Sequence, residues 1–279
     1  MATYTVKLLA KEPVAQGTMA FHLERPAGFE FRAGQAFEII LPGGPEGEDG
    51  SHAFSIVTAP HEAELMFATR MRDSRFKRAL GALPLGAELN IDGPFGSLTL
   101  HKNPARAAVL IAGGIGITPF MSMLRSAAEQ QSQHKLVLLY SNRRPEDTAF
   151  LAELQALVKR NPRFHLMATM TDMGHSQQPW EGSTGIIDSA FVQHALPGWT
   201  HPSSTCPARR LWSRPCAIRW CRPAWTRTMC AARSSSVIDV AAGQAFHADT
   251  TKRSRPVMLG ALAVPKAMLI TCLPVFSVL

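Results

Sequence analysis

Cysteine is missing from the first 205 of the 279 residues; Cys206, Cys216, Cys221, Cys230 and Cys272 all fall in the last third. A cysteine-free stretch of that length fits a reducing compartment, and a cytoplasmic location is the expectation. Residues 1–202 hold no His/Cys/carboxylate set with metal-ligand spacing, so no metal site is expected. No internal repeat, P-loop lysine motif or G-x-S-x-G elbow occurs. The opening MATYTVKLLAKEP has no apolar run of signal-peptide length before Glu12. Only residues 257–279 are apolar over the ~20 residues that a membrane span needs, and Pro265, Lys266 and Pro274 interrupt them. No membrane partner is expected. Acidic residues are scarce too, but only at one end. Residues 1–202 hold 18 Lys+Arg against 19 Asp+Glu, whereas residues 203–279 hold 11 against 2. The net charge of +8 therefore describes neither part.

With 46% hydrophobic residues, the chain is too long for one ordinary core and too apolar for disorder. Residues 1–103 read as antiparallel β. Runs rich in Val, Ile, Phe and Thr occur at 4–9, 18–23, 36–41, 53–57, 65–71 and 88–91. Phe21, Leu23, Phe37 and Ile39 alternate with polar residues, as strands with one buried face require. Turn residues separate the runs: Ala33-Gly34, an acidic loop over 42–50, and Gly93-Pro94. That loop reads as solvated, with a cation site as the alternative. Six strands without long helices suggest a small closed Greek-key barrel, because closure removes exposed edges.

The period changes near residue 105. Residues 107–112 form a continuous apolar run, as a strand buried on both faces of a parallel sheet requires. Gly113-Gly114-Ile115-Gly116-Ile117-Thr118-Pro119 follows, then helical periodicity over 120–131. Thr118 suits the N-cap and Pro119 the first helical position. A strand, a glycine turn and a helix N-terminus make a phosphate site, since unpaired N–H groups and the helix dipole attract an anion. A merely structural tight turn is the alternative. A strand at 136–140, a helix at 148–160 and a strand at 164–171 complete a Rossmann-like βαβαβ half over 104–202. The spacing is not G-x-G-x-x-G, and the second strand ends Tyr140-Ser141-Asn142-Arg143-Arg144 without an acid. Arginines and a serine there suit a 2′-phosphate, which leans toward NADPH; solvated loop arginines are the other reading.

The two halves together resemble the ferredoxin–NADP reductase family of flavoproteins, over residues 3 to about 202. Phe31-Arg32-Ala33-Gly34-Gln35 looks like its F-x-x-G-Q turn, and His52-Ala53-Phe54-Ser55-Ile56 like its R-x-[YF]-S-[ILV] flavin motif. Gly93-Pro94-Phe95-Gly96 matches its G-P-x-G, and Gly113 to Pro119 its G-G-x-G-x-T-P. The resemblance implies a barrel that binds FAD and a second domain that binds NAD(P)H. Phe54 would pack on the isoalloxazine, with Ser55 as the catalytic hydroxyl near the flavin N5 and Ile56 beside it. His52 stands where the family has an arginine for the FAD pyrophosphate. Arg70, Arg72 and Lys77 are candidates to supply that charge, and Ser74 to cap a helix there; an exposed loop histidine is the bland reading of His52. Gly113, Gly114, Gly116, Thr118 and Pro119 would take the dinucleotide phosphates. Tyr140, Ser141, Asn142 and Arg143 would hold the adenosine end, and Thr171 and Asp172 would face the nicotinamide.

The family pattern fails beyond Trp199. Residues 203–238 contain no Asp or Glu but seven Arg, four Cys and three of the five Trp, without helical or strand periodicity. Shifting GC-favoured codons by one base from Cys206 recovers Leu-Pro-Gly-Pro-Pro-Ala-Met-Val-Ala-Ala-Met-Arg, the family's missing G-P-P-x-M motif. Some positions are forced: Trp220-Cys221 and Met229-Cys230 each give Val, and Trp225-Thr226 gives Asp. Residues 203–279 thus read as an out-of-frame tail, leaving an open sheet edge and poor solubility. A nucleic-acid-binding tail is the competing view, and no nucleic-acid partner is expected. The implied activity is that of an FAD-dependent NAD(P)H oxidoreductase passing electrons to a protein such as ferredoxin or flavodoxin. Alternatives are a flavin reductase with exchangeable flavin and an impaired flavin-binding protein. No iron–sulfur cysteine pattern is present in the chain.

Overall fold

Alternation over the first hundred residues produces a sheet in the computed structural model, which describes residues 2–42, 50–196, 236–240 and 270–271. Six strands, β1 (Ala2–Ala15), β2 (Thr18–Glu24), β3 (Ala36–Ile40), β4 (Ser51–Ser55), β5 (Glu64–Arg70) and β6 (Glu88–Phe95), pair antiparallel in the order β4-β3-β6-β1-β2-β5. The two ends of that order meet: the Val57 N–H donates to Met66 O at 2.7 Å, and the Phe54 and Phe67 rings lie 4.7 Å apart. The sheet therefore closes into a barrel, filled by Leu8, Phe21, Leu23, Phe29, Phe37, Ile39, Leu65, Phe67 and Ile91. Helix α1 (Arg75–Ala82) plugs one end with Phe76 and Leu80. The loop at 43–49 lies outside the described residues.

The second half is a parallel sheet in which β7 (Ala107–Gly113), β8 (Leu136–Asn142), β9 (Phe164–Met170) and the short β10 (Ser183–Thr184) run side by side. Buried faces on both sides explain the unbroken apolar runs. One face packs Ala108, Leu110, Leu138 and Tyr140 against α2 (Thr118–Glu129) and α3 (Leu151–Arg160). The other packs Val109, Ile111, Val137 and Leu139 against Ile187 and α4 (Ser189–Ala195).

Four expectations need correction. A 3₁₀ turn, Gly114–Ile117, intervenes before α2, so Thr118 is the first helical residue rather than the N-cap; its Oγ1 donates to Ile115 O at 3.2 Å instead of capping. Helix α3 starts at Leu151 because a 3₁₀ turn (Pro145–Asp147) and Phe150, in the left-handed region at φ 60°, precede it. His52 lies within β4, not in an exposed loop. The outer edge of β7 is also paired: β11 (Ser236–Val240) lies antiparallel on it and β12 (Ile270–Thr271) on β11. An unpaired row of backbone groups is a template for any passing strand. The rest of the basic tail and of the apolar terminus lies outside the described residues. Among those described, no helix is long and apolar enough to cross a membrane.

Candidate functional site

The two halves are held together around α2. The Ser122 hydroxyl donates to Thr58 O at 2.6 Å, and Arg125 reaches Glu62 of the barrel and Glu153 of α3 at 3.2 and 2.6 Å. Gly34 explains why the F-x-x-G-Q turn needs its glycine. Its φ is +96°, and an added Cβ would collide with the Leu98 carbonyl oxygen and the Met123 side chain. Gln35 ties the same turn to the G-P-x-G segment, its Nε2 donating to Gly96 O at 3.1 Å. A second contact joins the β1–β2 turn to the segment after β8: Gln16 N–H donates to Glu146 O at 2.8 Å and Arg144 Nη2 to Gln16 Oε1 at 2.8 Å. Between these contacts, β5 lies beside the glycine turn.

On the barrel side, β4 alternation puts His52 and Phe54 on one face. The His52 ring meets Phe76 edge-on at 4.3 Å, and Phe54 lies against Phe67 at 4.7 Å and Phe76 at 6.0 Å. Phe54 and Ser55 are half-buried, whereas Ile56 points into the barrel core and its N–H donates to Gln35 O. Ser74 does cap α1, accepting from the Lys77 N–H at 3.3 Å. Lys77 itself is committed internally: Nζ donates to Thr69 Oγ1 at 2.8 Å and Arg70 O at 2.7 Å, and burial holds its pKa below the usual lysine value. Arg72 is exposed. Arg70 extends its charge toward the other half, where it favours ionised Asp147.

On the α/β side, Gly113 is exposed and Gly114 adopts φ +52° with open space where a Cβ would sit, so backbone conformation is what requires glycine there. Gly116 is half-buried in the 3₁₀ turn, while Thr118 and Pro119 are buried. Tyr140, expected at the adenosine end, is instead fully buried; its hydroxyl reaches Gly114 O at 3.0 Å and Ala149 O at 3.2 Å, and burial pushes its pKa up. Asn142 is buried with neither amide atom hydrogen-bonded. Ser141 stays half-exposed.

Both arginines are ion-paired rather than merely solvated. Arg144 makes a two-pronged contact with Asp147, at 2.8 and 3.1 Å, and holds the Asp147 pKa below the carboxylate range. Arg143 donates to Asp172 Oδ2 at 3.0 Å, and His175 Nδ1 lies 2.6 Å from Asp172 Oδ1. His175 first and Arg143 second lower the Asp172 pKa. Adenosine-end and nicotinamide-end expectations thus meet in one ion pair, because Asp172 N–H donates to Arg143 O and Thr171 N–H to Asn142 O. Sequence reading could not see it, since the partners come from different strands. A separate cavity of about 340 Å³, lined by His61, Glu62, Arg125, Glu153 and Arg160, includes none of the expected residues. Among the described residues no His/Cys/Asp/Glu group could hold a metal.

A closed antiparallel barrel is joined to a parallel sheet with helices on both faces, with a glycine turn at the junction, which is a barrel plus Rossmann-like fold. Residues 110–206 match the family model described as oxidoreductase NAD-binding domain. The chain is similar to the glycine betaine monooxygenase reductase subunit of Chromohalobacter salexigens, 29% identical over 68% of this chain and 52% of that protein. It is also similar to ferredoxin–NADP reductase B of Sorangium cellulosum, 29% identical over 67% of this chain and 76% of that protein. A ferredoxin NADP⁺ reductase from Neisseria gonorrhoeae, solved with FAD and NADP, shares the fold at TM-score 0.59 and 22% identity, covering 72% of this chain and 82% of that one. The chain is thus similar to ferredoxin–NADP reductase-like flavoprotein reductases. It spans about half the length of the first curated relatives it matches.

Proposed function

We propose that this chain is a cytoplasmic NAD(P)H-dependent flavoprotein oxidoreductase that delivers electrons to a separate acceptor protein such as ferredoxin, flavodoxin or an oxygenase component. The observation that carries the reading is the approach of β5, next to the half-buried aromatic face of β4, to the glycine turn after β7. The residues suit both groups. Phe54 offers a half-buried ring backed by Phe67 and Phe76, and Gly114 leaves open space in front of a left-handed turn. When bound, FAD supplies the chemistry that accepts a hydride and releases electrons.

The protein's own part is positional. Phe54 would orient the flavin ring, and Ser55, ending β4, would set a hydroxyl beside it. Gly113, Gly114 and Gly116, with buried Thr118 and Pro119 fixing the start of α2, would hold the dinucleotide phosphates through backbone N–H groups. Ser141, Arg143, Thr171 and Asp172 would contact its sugars, with Asn142 beneath them. His52, Arg70, Arg72 and the capped start of α1 at Ser74 would face the FAD diphosphate. One observation favours a second reading, a reductase that exchanges its flavin: Lys77 is spent on Thr69 and Arg70 O, which removes a cation from that group.

The visible spectrum of the purified chain, before and after anaerobic NAD(P)H, tests the reading. Bound flavin that bleaches is the expected result. Flavin that persists would overturn the nucleotide half of the proposal, and a chain that neither retains nor turns over added flavin would overturn both. The domain limits 1–103 and 104–202, and an out-of-frame origin for 203–279, belong to the same proposal. Sequencing the DNA across codons 198–206 in an independent clone decides the latter; a frame coding the tail as written would sink it.

A further inference from the structure

Tyr140 is the largest fully buried side chain in the molecule's described part, and its hydroxyl is placed where a purely apolar core would want a phenylalanine. The oxygen lies 3.0 Å from Gly114 O and 3.2 Å from Ala149 O. A phenol has one proton for these two carbonyls. Both belong to peptides with unusual backbone: Gly114 at φ +52°, and Ala149 immediately before Phe150 at φ +60°. Phe150 is not a glycine, so its surroundings must hold it in that conformation.

The geometry follows from the peptide unit. A trans peptide points its C=O and the following N–H in opposite directions. A hydroxyl that fixes the Gly114 carbonyl from within the core therefore turns the Ile115 N–H outward. That N–H stands at the start of the 3₁₀ turn, where N–H groups lack acceptors of their own. Asn142 follows two residues later on the same face of β8, and its amide approaches the Tyr140 hydroxyl without completing a hydrogen bond. The two carbonyls are the acceptors within hydrogen-bond distance of the Tyr140 hydroxyl.

We propose that Tyr140 is a positioning residue: its hydroxyl sets the Gly114–Ile115 peptide so that the glycine turn meets the dinucleotide diphosphate with its N–H groups already aimed. The inference rests on the nucleotide-binding reading above. The test is Tyr140→Phe in the full chain, which keeps the packing and deletes only the oxygen. Affinity for ADP-ribose, which carries the diphosphate, and for adenosine, which does not, is measured by calorimetry. Loss of one hydrogen bond predicts about tenfold weaker ADP-ribose binding, with adenosine binding and the flavin spectrum unchanged. Unchanged ADP-ribose binding would overturn the assignment. An equal loss for both probes would also overturn it, since that is the mark of a general structural defect. If the parent chain binds neither probe, the nucleotide-binding reading falls and takes this inference with it.

Discussion

The barrel wall and the α/β wall of the proposed site are built from different materials. The barrel wall is side chains: Phe54 against Phe67 and Phe76, His52 edge-on to Phe76, and Lys77 tied to the end of β5. The α/β wall is mostly backbone: a glycine turn, a 3₁₀ turn and the strand ends of β8 and β9, with charged side chains already paired to one another. Aromatic surface recognises a flat ring by area and shape, whereas N–H groups recognise an anion by direction. Substitution should therefore damage the first wall by truncation and the second by altered conformation.

The contact that both walls share should show the largest effect. Gly34 sits between them, and Gly34→Ala combines an unfavourable φ of +96° with collisions against Leu98 O and Met123. One of those neighbours is backbone, which cannot move aside as a side-chain end can. We expect a destabilisation of about 3 kcal/mol or more, read by urea denaturation, with loss of flavin and nucleotide binding together. If one binding function survives intact, the walls are more independent than the shared contact implies.

Phe54→Ala separates the walls. It removes a half-buried ring from a stack that continues through Phe67 and Phe76, at a cost to the fold of about 2 kcal/mol, less than for a fully buried phenylalanine. The flavin absorbance should be lost while ADP-ribose binding stays within about twofold of the parent. Loss of ADP-ribose binding as well would show that the aromatic wall also supports the glycine turn.

The same contrast explains what could be read from the sequence. Strands and their alternation were legible because burial of one or both faces imposes a period, and β2 and β5 differ from expectation only at their ends. The glycine turn was legible as a motif. Its internal form was not: the 3₁₀ turn before α2 and left-handed Phe150 before α3 sit beside carbonyls that accept from Tyr140, which comes from another strand. The arginines after β8 were legible as charge but not as ion pairs, because Asp172 arrives from β9 through backbone bonds to Arg143 and Asn142. Lys77 was misleading for a similar reason: its partners lie at the end of the preceding strand, and local sequence does not fix that register.

The smallest effect, and the one that sharpens the α/β wall most, concerns Arg143. An arginine already paired with Asp172 at 3.0 Å has to trade that carboxylate for any 2′-phosphate, and the carboxylate left behind repels the newcomer. The chain should therefore favour NADH over NADPH, contrary to what the Arg143-Arg144 pair suggests in isolation. Asp172→Asn keeps the shape and removes the repulsion, so the ratio of NADPH to NADH affinity should rise about threefold to tenfold, as expected for an exposed charge pair. The pH dependence carries its own sign. His175 and Arg143 hold the Asp172 pKa below its ordinary value, so Asp172 stays ionised between pH 5 and 8 and adds no pH dependence of its own to the preference there. The 2′-phosphate, whose second ionisation lies at about pH 6, is the group that changes charge in that window, so discrimination against NADPH should ease as the pH falls through it. A parent preference for NADPH would mean that Arg143 gives up Asp172 for the phosphate, and an Asp172→Asn variant with an unchanged ratio would mean that Arg143 does not face the adenosine ribose.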